Sequence, residues 1–562
     1  MNAAIPSTER SRSSADRTEA VVRSALWAAA GDALGWITEL SRGEAGVAHR
    51  TGSKTVSEPV DWQRMIGGRL GPRVHLPAGT YSDDTQLRLS VSRSIRGDGN
   101  FDVEAFAKVE VTIWPSYALG AGLGTKAAAA HLARRSVNWF SNFFDSAGQT
   151  YINGGGNGAA MRIQPHVWAG SGSDDTMIDV LRNAIVTHGH PHGFCGAVFH
   201  ARCVSHALIH GAVPGPEDWA RFVKEFDDIP RLISADSQLA AFWLSAWEGA
   251  GGRSLQQAIA ELQNEAIKDV RVVSGKPSGA PDRDYLAALD RTGCLSQRFR
   301  GSGQKTALAA AVLCWLFRDR PLAEALVVAA NALDSDTDTI ATMAGAIGGC
   351  VSPLEPDWSV QDRDYITREA RRLAAISAGT PQDSFTYPDL VHWTPPTKQT
   401  AVVGVTARGL AMIGLGEIEP IGPEYPAGDA VWQWCMLPFG QTVLAKRKAS
   451  LKDEVKPSQL PGTRQAARPN RVVEAQESRT RNLFDQQPPL QRPSEQTRPS
   501  PVKELSGLDY WTDIVIQGEF EDRLIGRTFN RILEETQSAD VVVAFAAIIA
   551  KAKLARERRR RG

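Results

Sequence analysis

The sequence has no C-x-x-C pair: its six cysteines, Cys195, Cys203, Cys294, Cys314, Cys350 and Cys435, are scattered. That argues against a disulfide framework or a cysteine zinc site, and it fits a reducing cytoplasm. Excess charge is absent too. Lys+Arg and Asp+Glu both number 63 over 562 residues, so no global field draws the chain to nucleic acid or to a membrane. Long apolar runs are missing, and stretches such as Ala307–Phe317 are too short to span a bilayer. The polar start MNAAIPSTERSRSSADRTEA lacks the apolar stretch of a signal peptide, and no repeat of fixed period occurs. With 42% apolar and 22% charged residues, the expectation is a soluble cytoplasmic protein long enough for more than one domain.

What is present, from about residue 17 to 379, is helical periodicity. AVVRSALWAAAGDALG, QLRLSVSRSI, MIDVLRNAIVTHG, AVFHARCVSHALIHG, KTALAAAVLCWLF and DYITREARRLAAIS carry apolar residues at helical spacing. Ala and Leu are frequent in them, and Gly, Pro, Asp or Ser clusters separate them. No low-complexity linker interrupts the stretch, which predicts one compact all-α domain over 17–379 after a disordered polar arm over 1–16. Over 380–445 the texture turns to Val, Thr and aromatics broken by Gly and Pro. FTYPDLVHWTPP, TAVVGVTARGLAMIGLG and AVWQWCMLPFGQTVLA predict short strands of a small β-containing appendage. Residues 446–505, rich in Pro, Gln, Arg and Ser, have the composition of a disordered linker. A helical segment is expected over 506–562, where FEDRLIGRTFNRILEET and ADVVVAFAAIIAKAKLARERRRRG read as two helices with a basic end. The fold class is mainly all-α.

Two acidic runs carry the chemistry. Ser82-Asp83-Asp84-Thr85 and Asp334-Ser335-Asp336-Thr337-Asp338-Thr339 each lie where a loop meets a predicted helix. Side-by-side carboxylates repel, and burying them uncompensated is costly. Bound cations are the obvious compensation. Carboxylates with Ser and Thr hydroxyls make an all-oxygen donor set that suits Mg2+, Mn2+ or Ca2+ rather than zinc. For either run alone the competing reading is a helix N-cap. An EF-hand loop fails: with Asp334, Asp336 and Asp338 at its first, third and fifth positions, Thr339 stands where glycine is needed and Gly345 where the bidentate Glu belongs.

Between these runs lie two further candidates. YINGGGNGAAMR, Tyr151 to Arg162, is a Gly-rich turn opening a predicted helix, where backbone N–H groups can approach a phosphate. No apolar strand precedes it, which argues against a dinucleotide fold, and a plain structural turn is the alternative. THGHPHG, with His188, His190 and His192, is dense enough in imidazole for zinc beside Cys195, or for a solvated helix end, but no Glu-containing zinc motif accompanies it. GSGQKT at Gly301–Thr306 is no Walker loop, because Gln304 precedes Lys305 and Phe299 fills the earlier glycine position.

Taken in order, G-D-A-L-G-x-x-x-E (with Asp32 and Glu39), S-D-D-T, G-N-G-A-A-M-R, T-H-x-H and D-x-D-T-I-A resemble the ADP-ribosylglycohydrolase family over about residues 18–375. The resemblance implies a compact helical ADP-ribosylglycohydrolase-type domain. It implies a hydrolase that cleaves the N- or O-glycosidic bond between ADP-ribose and an acceptor, reversing mono-ADP-ribosylation at a binuclear Mg2+ (or Mn2+) site. Two ions would be held by Ser82, Asp83 and Asp84 and by Asp336, Asp338 and Thr339. Ser82 replaces the commoner Thr, and Asp334 and Ser335 stand where the family has glycines. Asp83, Asp84, Glu39 and Asp336 are the implied catalytic carboxylates, with Glu39 closing over the metals. Gly155, Gly156, Asn157 and Gly158 are implied to hold the diphosphate and distal ribose, His188 to contact substrate, and the 301–306 loop to line the adenosine side. The partner is then an ADP-ribosylated protein or another ADP-ribosyl acceptor. The alternative is a non-catalytic ADP-ribose-binding module whose basic tail, ending in Arg556-Glu-Arg-Arg-Arg-Arg561, contacts nucleic acid or protein. Grouped carboxylates that repel each other and the ligand's phosphates weigh against a pure binder.

Overall fold

Alanine- and glycine-rich seams set how closely the helices approach. The computed structural model describes residues 14–68, 70–146, 148–170, 172–390, 392–462, 507–536 and 539–561, and the chain divides into two units, one up to residue 464 and one beyond it. The first unit is built on α1 (Ser14–Thr38), α2 (Asp83–Ser94), α3 (Pro191–His210), α4 (Gly303–Leu316) and α5 (Thr337–Gly349), with further helices such as Leu255–Val273 and Arg363–Ser377 around them. α1 and α5 are buried almost all round, as expected of helices whose small apolar residues leave no polar face. A Cβ on Gly35 would fall 2.4 Å from the Thr337 carbonyl oxygen, and one on Gly345 would fall 2.3 Å from that of Trp27. Only glycine lets the two helices lie this close.

The β structure is fitted onto this body rather than strung after it. A hairpin, β1 (Trp62–Met65) and β2 (Arg73–Leu76), pairs antiparallel. A second sheet runs β3 (Val403–Thr406), β4 (Gly409–Met412), β5 (Gly416–Ala427), β6 (Ala430–Met436) and β7 (Thr442–Lys448) as an antiparallel meander in sequence order. Alternation gives the sheet two apolar faces. Trp432, Trp434 and Leu444 join the main helical core, while Cys435, Val443 and Ala445 pack with Val109, Ile113 and Trp114. A buried polar knot ties the layers. Arg93 grips Glu110 with two bonds of 2.8 Å and reaches Gln441 Oε1 at 2.6 Å, and Tyr387 donates to Glu110 at 2.7 Å.

Two expectations for this region change. FTYPDLVHWTPP forms no strand among its described residues, since Pro388, Pro395 and Pro396 withhold ladder donors. It is a strap pinned by Tyr387 and by Trp393, whose indole donates to the Lys108 carbonyl at 2.6 Å. Conversely β5 escaped a reading based on β-branched residues, because it carries Pro420, Pro423 and Pro426. They are tolerated because, beyond Ile418, β5 pairs with β6 alone and shifts register between Pro420 and Glu424.

The expected linker over 446–505 also begins later. Residues 446–448 complete β7, and Val455 donates to the Val405 carbonyl at 2.9 Å, holding the chain that follows against β3. Residues 463–506 lie outside the described residues, as do 1–13 of the expected N-terminal arm. The second unit contains three helices where two were expected: α6 (Gly507–Gln517), α7 (Asp522–Thr536) and α8 (Ala539–Arg561). Trp511, Val515, Phe520, Ile532 and Phe545 form its core. Arg556, the first residue of the basic run, donates to the Ile516 carbonyl at 3.3 Å within the same unit. Among the described residues no helix is long and apolar enough to cross a membrane.

Candidate active site

The first acidic run is fixed from behind by a residue of α1. Asp32 is fully buried and accepts the Ser82 N–H at 2.9 Å with Oδ1. Its Oδ2 accepts both the Thr85 N–H at 2.9 Å and the Thr85 hydroxyl at 2.6 Å, and Arg88 reaches that hydroxyl at 2.7 Å. Ser82 caps α2, its hydroxyl accepting from the Asp84 N–H at 3.3 Å. Asp32 therefore holds the start of α2 and leaves the carboxylates of Asp83 and Asp84 free to point elsewhere. Asp83 accepts the Ala121 N–H at 3.0 Å.

The second run arrives on α5, placed against α1 by the glycine contacts above. Thr339 donates its hydroxyl to Asp84 Oδ2 at 3.4 Å across 255 residues of sequence, so the two runs meet. Asp338 accepts the Thr339 N–H at 2.8 Å, and Asp336 accepts the Asn157 side-chain amide at 2.8 Å. Asp334 is exposed with φ +73°, a left-handed conformation that glycine adopts freely and Asp tolerates, so it adds no carboxylate to the cluster. Glu39, just past α1, stands with the second run. Glu39, Asp336 and Asp338 each bring one oxygen within 4.8 Å of the others. Arg64 of β1 pairs with Glu39 at 3.2 Å, a partner that nothing in the local sequence signalled.

The electrostatics of this cluster are unresolved by protein alone. Burial first, and then the Glu39 and Asp32 carboxylates, push the Asp83 carboxyl up to about 8. Burial likewise drives Asp84 and Asp338 well upward, with Asp32 and Asp83 adding to the first and Glu39 and Asp336 to the second. Asp84 Oδ1 is buried without a hydrogen-bond partner. An all-oxygen set with an orphaned buried carboxylate oxygen suits hard cations.

The glycine loop and the histidines flank this cluster. The helix expected after the loop is short: a single 3-10 turn (Ala160–Arg162) and a six-residue helix (Gln164–Ala169) follow it, so a helix dipole gives little help to an anion there. It is built instead by pairing with the 301–303 loop. Asn157 N–H donates to the Gly301 carbonyl at 2.9 Å, and Gly303 N–H to that of Gly155 at 3.0 Å. Buried Arg162 braces it, donating to the Gly158 carbonyl at 2.8 Å, the Asn183 side chain at 2.9 Å and the Thr187 hydroxyl at 2.8 Å. That hydroxyl lies 2.7 Å from His188 Nδ1. Burial, then Arg162, holds His188 down at about 3, so the ring is neutral near pH 7. Gly155, Gly156, Gly158 and His188 all line the cleft. His190 caps α3 by accepting from the His192 N–H at 3.2 Å, and His192 meets Ser302 Oγ at 2.7 Å and Glu265 at 3.3 Å. Two of the three histidines therefore serve the loop scaffold. Lys305 does not reach into the cleft: it is buried between Glu265 at 3.0 Å and Asp269 at 2.5 Å.

These groups line one cleft of about 1400 Å³, which places Glu39, Asp83, Asp84, Asp336, Asp338 and Thr339 on a shared wall with the glycine loop. The sequence model of the ADP-ribosylglycohydrolase family matches residues 13–382. ADP-ribosylhydrolase ARH3 of Danio rerio is 27% identical over 314 residues, covering 52% of this chain and 76% of the relative. ADP-ribosyl-[dinitrogen reductase] glycohydrolase of Rhodospirillum rubrum is 28% identical over 186 residues, covering 33% of this chain and 56% of the relative. A solved chain named ADP-ribosylglycohydrolase-related protein complex aligns over 65% of this chain and 99% of its own, at a TM-score of 0.40 and 19% identity, too distant to carry residue roles. With the family's sequence pattern spanning 13–382 and its acidic runs brought together in one cleft, the chain is an enzyme of the ADP-ribosylglycohydrolase family.

Proposed function

We propose that the enzyme hydrolyses the N- or O-glycosidic bond joining ADP-ribose to an acceptor, an ADP-ribosylated protein or another ADP-ribosyl acceptor, and so reverses mono-ADP-ribosylation. The observation that carries this is the meeting of two distant acidic runs, Thr339 on Asp84, beside a glycine loop tethered to Asp336 through Asn157. The names of the similar proteins from Danio rerio and Rhodospirillum rubrum point the same way.

Ser82, Asp83 and Asp84 on one side and Asp336, Asp338 and Thr339 on the other would hold two Mg2+ (or Mn2+) ions. When bound, these supply Lewis-acid polarisation and an acidified water. The chain's own groups do the rest. The loop from Gly155 to Gly158 offers backbone close to a diphosphate and distal ribose, since a Cβ at Gly158 would already press on His188 at 3.1 Å. Neutral His188 presents Nε2 as a hydrogen-bonding atom without adding charge. As water adds to C1″ and the acceptor bond breaks, positive charge develops on the sugar. The carboxylates of Asp83, Asp84, Asp336 and Glu39 stabilise it, and the water's proton leaves with the acceptor by way of this carboxylate group. Arg64 restrains Glu39, so its carboxylate stays over the cleft.

The test is release of ADP-ribose from mono-ADP-ribosylated substrates, with and without EDTA, in the wild type and in Asp83→Asn and Asp336→Asn. Loss in all three treatments is expected. Comparable turnover after any of them ends the metal-dependent reading, and tight ADP-ribose binding with no turnover of any substrate favours a non-catalytic binder.

A further inference from the structure

The cleft is not walled by the helical body alone. Gln399, Trp432, Leu444 and Lys446, from the sheet and the turn before it, also line it, and they lie beyond the segment that matches the family. Trp432 and Lys446 are directly opposed across β6 and β7, so both side chains lie on one face. The Lys446 ammonium lies 4.7 Å from the Trp432 ring centroid and donates to the neutral amide oxygen of Gln399 at 3.2 Å. Among the described residues it forms no ion pair, as is also true of Lys126 and Arg298 on the same cleft, whereas Arg64, Lys305 and Arg253, on or behind it, each meet a carboxylate.

Two chains of contacts run from the carboxylates along the cleft. Asn157 and the Gly301 loop lead from Asp336 toward the glycine loop and the histidines. A second chain of contacts leads from Glu39 to Arg64 of β1, and shortly after β1 comes Gly67, where a Cβ would sit 2.6 Å from Trp432 Cζ2. If ADP-ribose lies along the glycine loop, the acceptor leaves over Gly67, Trp432 and Lys446.

We propose that this sheet wall is the acceptor subsite and that it selects a peptide carrying an acidic side chain next to the ADP-ribosylated residue. The inference rests on the hydrolase reading above. Its physical basis is a cation with no ion pair, shielded on one side by the Trp432 ring, on a stretch of the cleft that Leu444 and the half-exposed Met65 also line. One carboxylate on an otherwise apolar peptide matches that pattern. A nucleic-acid acceptor does not, because a phosphate backbone needs a row of cations, and here several phosphates would have to pass the carboxylates of Glu39 and Asp83. A guanidinium acceptor would meet Lys446 with like charge.

The experiment compares kcat/KM for two mono-ADP-ribosylated peptides that differ only in Glu or Gln beside the modified residue, in the full-length wild type, Lys446→Met and Lys446→Glu. The wild type is expected to prefer the Glu peptide roughly fivefold, the scale of one partly screened charge pair, with the preference shrinking as salt is raised. Lys446→Met brings the ratio near one and Lys446→Glu inverts it; using a ratio removes any common loss from folding. A wild-type ratio near one, or a ratio unmoved in Lys446→Glu, overturns the subsite. So does a stronger preference for an ADP-ribosylated oligonucleotide that Lys446→Glu abolishes. Absence of turnover on both peptides and on the oligonucleotide overturns the hydrolase reading, and the subsite falls with it.

Discussion

At the glycine-loop end of the cleft, Lys305 meets Glu265 at 3.0 Å and Asp269 at 2.5 Å, and His192 meets Glu265 at 3.3 Å. At the carboxylate end Glu39 has Arg64, but Asp83, Asp84, Asp336 and Asp338 form no ion pair among the described residues. The same chain therefore closes one set of charges with its own side chains and leaves another open a short distance away. A fold able to neutralise the first group had the means to neutralise the second. The difference sets the open group apart as the proposed metal site.

Breaking the open end should hit activity hardest. Asp84→Asn is expected to lower kcat by about a hundredfold or more, the usual scale for removing an electrostatic contributor to a transition state. A variant with more than a tenth of wild-type kcat would contradict this. The next effect is on stability, and it differs in sign between the two ends. Lys305→Met strands Glu265 and Asp269. Loss of a buried ion-pair partner costs about 3–5 kcal/mol; discounted for the exposure of Glu265, about 1–3 kcal/mol is expected in urea unfolding. In divalent-free buffer Asp84→Asn should leave the unfolding midpoint unchanged or raise it, since it removes a carboxyl whose ionised form burial and the neighbouring Asp32 and Asp83 disfavour. Equal destabilisation by both substitutions would erase the distinction.

Adding Mg2+ sharpens the contrast further. At a hundredfold excess over Kd, wild-type stability should rise by about 2.7 kcal/mol for each ion bound by mass action, with no gain in the doubly substituted Asp84→Asn, Asp336→Asn protein. A smaller effect concerns acid. Burial holds His166 and His200 down at about 3 against an unfolded value near 6.5. Lowered folded values mean that the unfolded chain takes up protons first. Stability is therefore present above about pH 6.5 and falls toward pH 3, by up to about 1.4 kcal/mol per pH unit for each ring. His166→Leu should flatten this limb in a pH series of urea melts; His166 Nε2 has no partner to lose. An unchanged slope would show that the ring titrates normally.

Legibility in the sequence followed locality. Ser82 to Asp84, Asp336 to Thr339, the glycine loop and the helical body were visible because each is a short motif or a periodic run. The parts that make them a site were not. Asp32 grips the start of α2 from 50 residues away, Arg162 braces the glycine loop through Asn183 and Thr187, and Arg64 restrains Glu39. A buried Arg and a surface Arg look alike in a string of letters. β5 was hidden by its prolines, and the strap over 381–398 looked like a strand because its aromatics, which plug into the helical body, are also what strands favour. The role of the sheet in lining the cleft was invisible for the same reason: Trp432 approaches Gly67, and Lys446 lies on Trp432, only through the folded chain.

The close seam between α1 and α5 has a consequence for how the protein is made. α1 is complete at Thr38, but the helix that must lie against its glycines begins at Thr337, 299 residues later. At ribosomal rates of roughly 5–20 residues per second, this leaves α1 with that face uncovered for on the order of 15–60 s during synthesis. A premature partner on that strip, whether a chaperone or another nascent chain, would keep Asp84 and Thr339 apart even if every other helix had already formed.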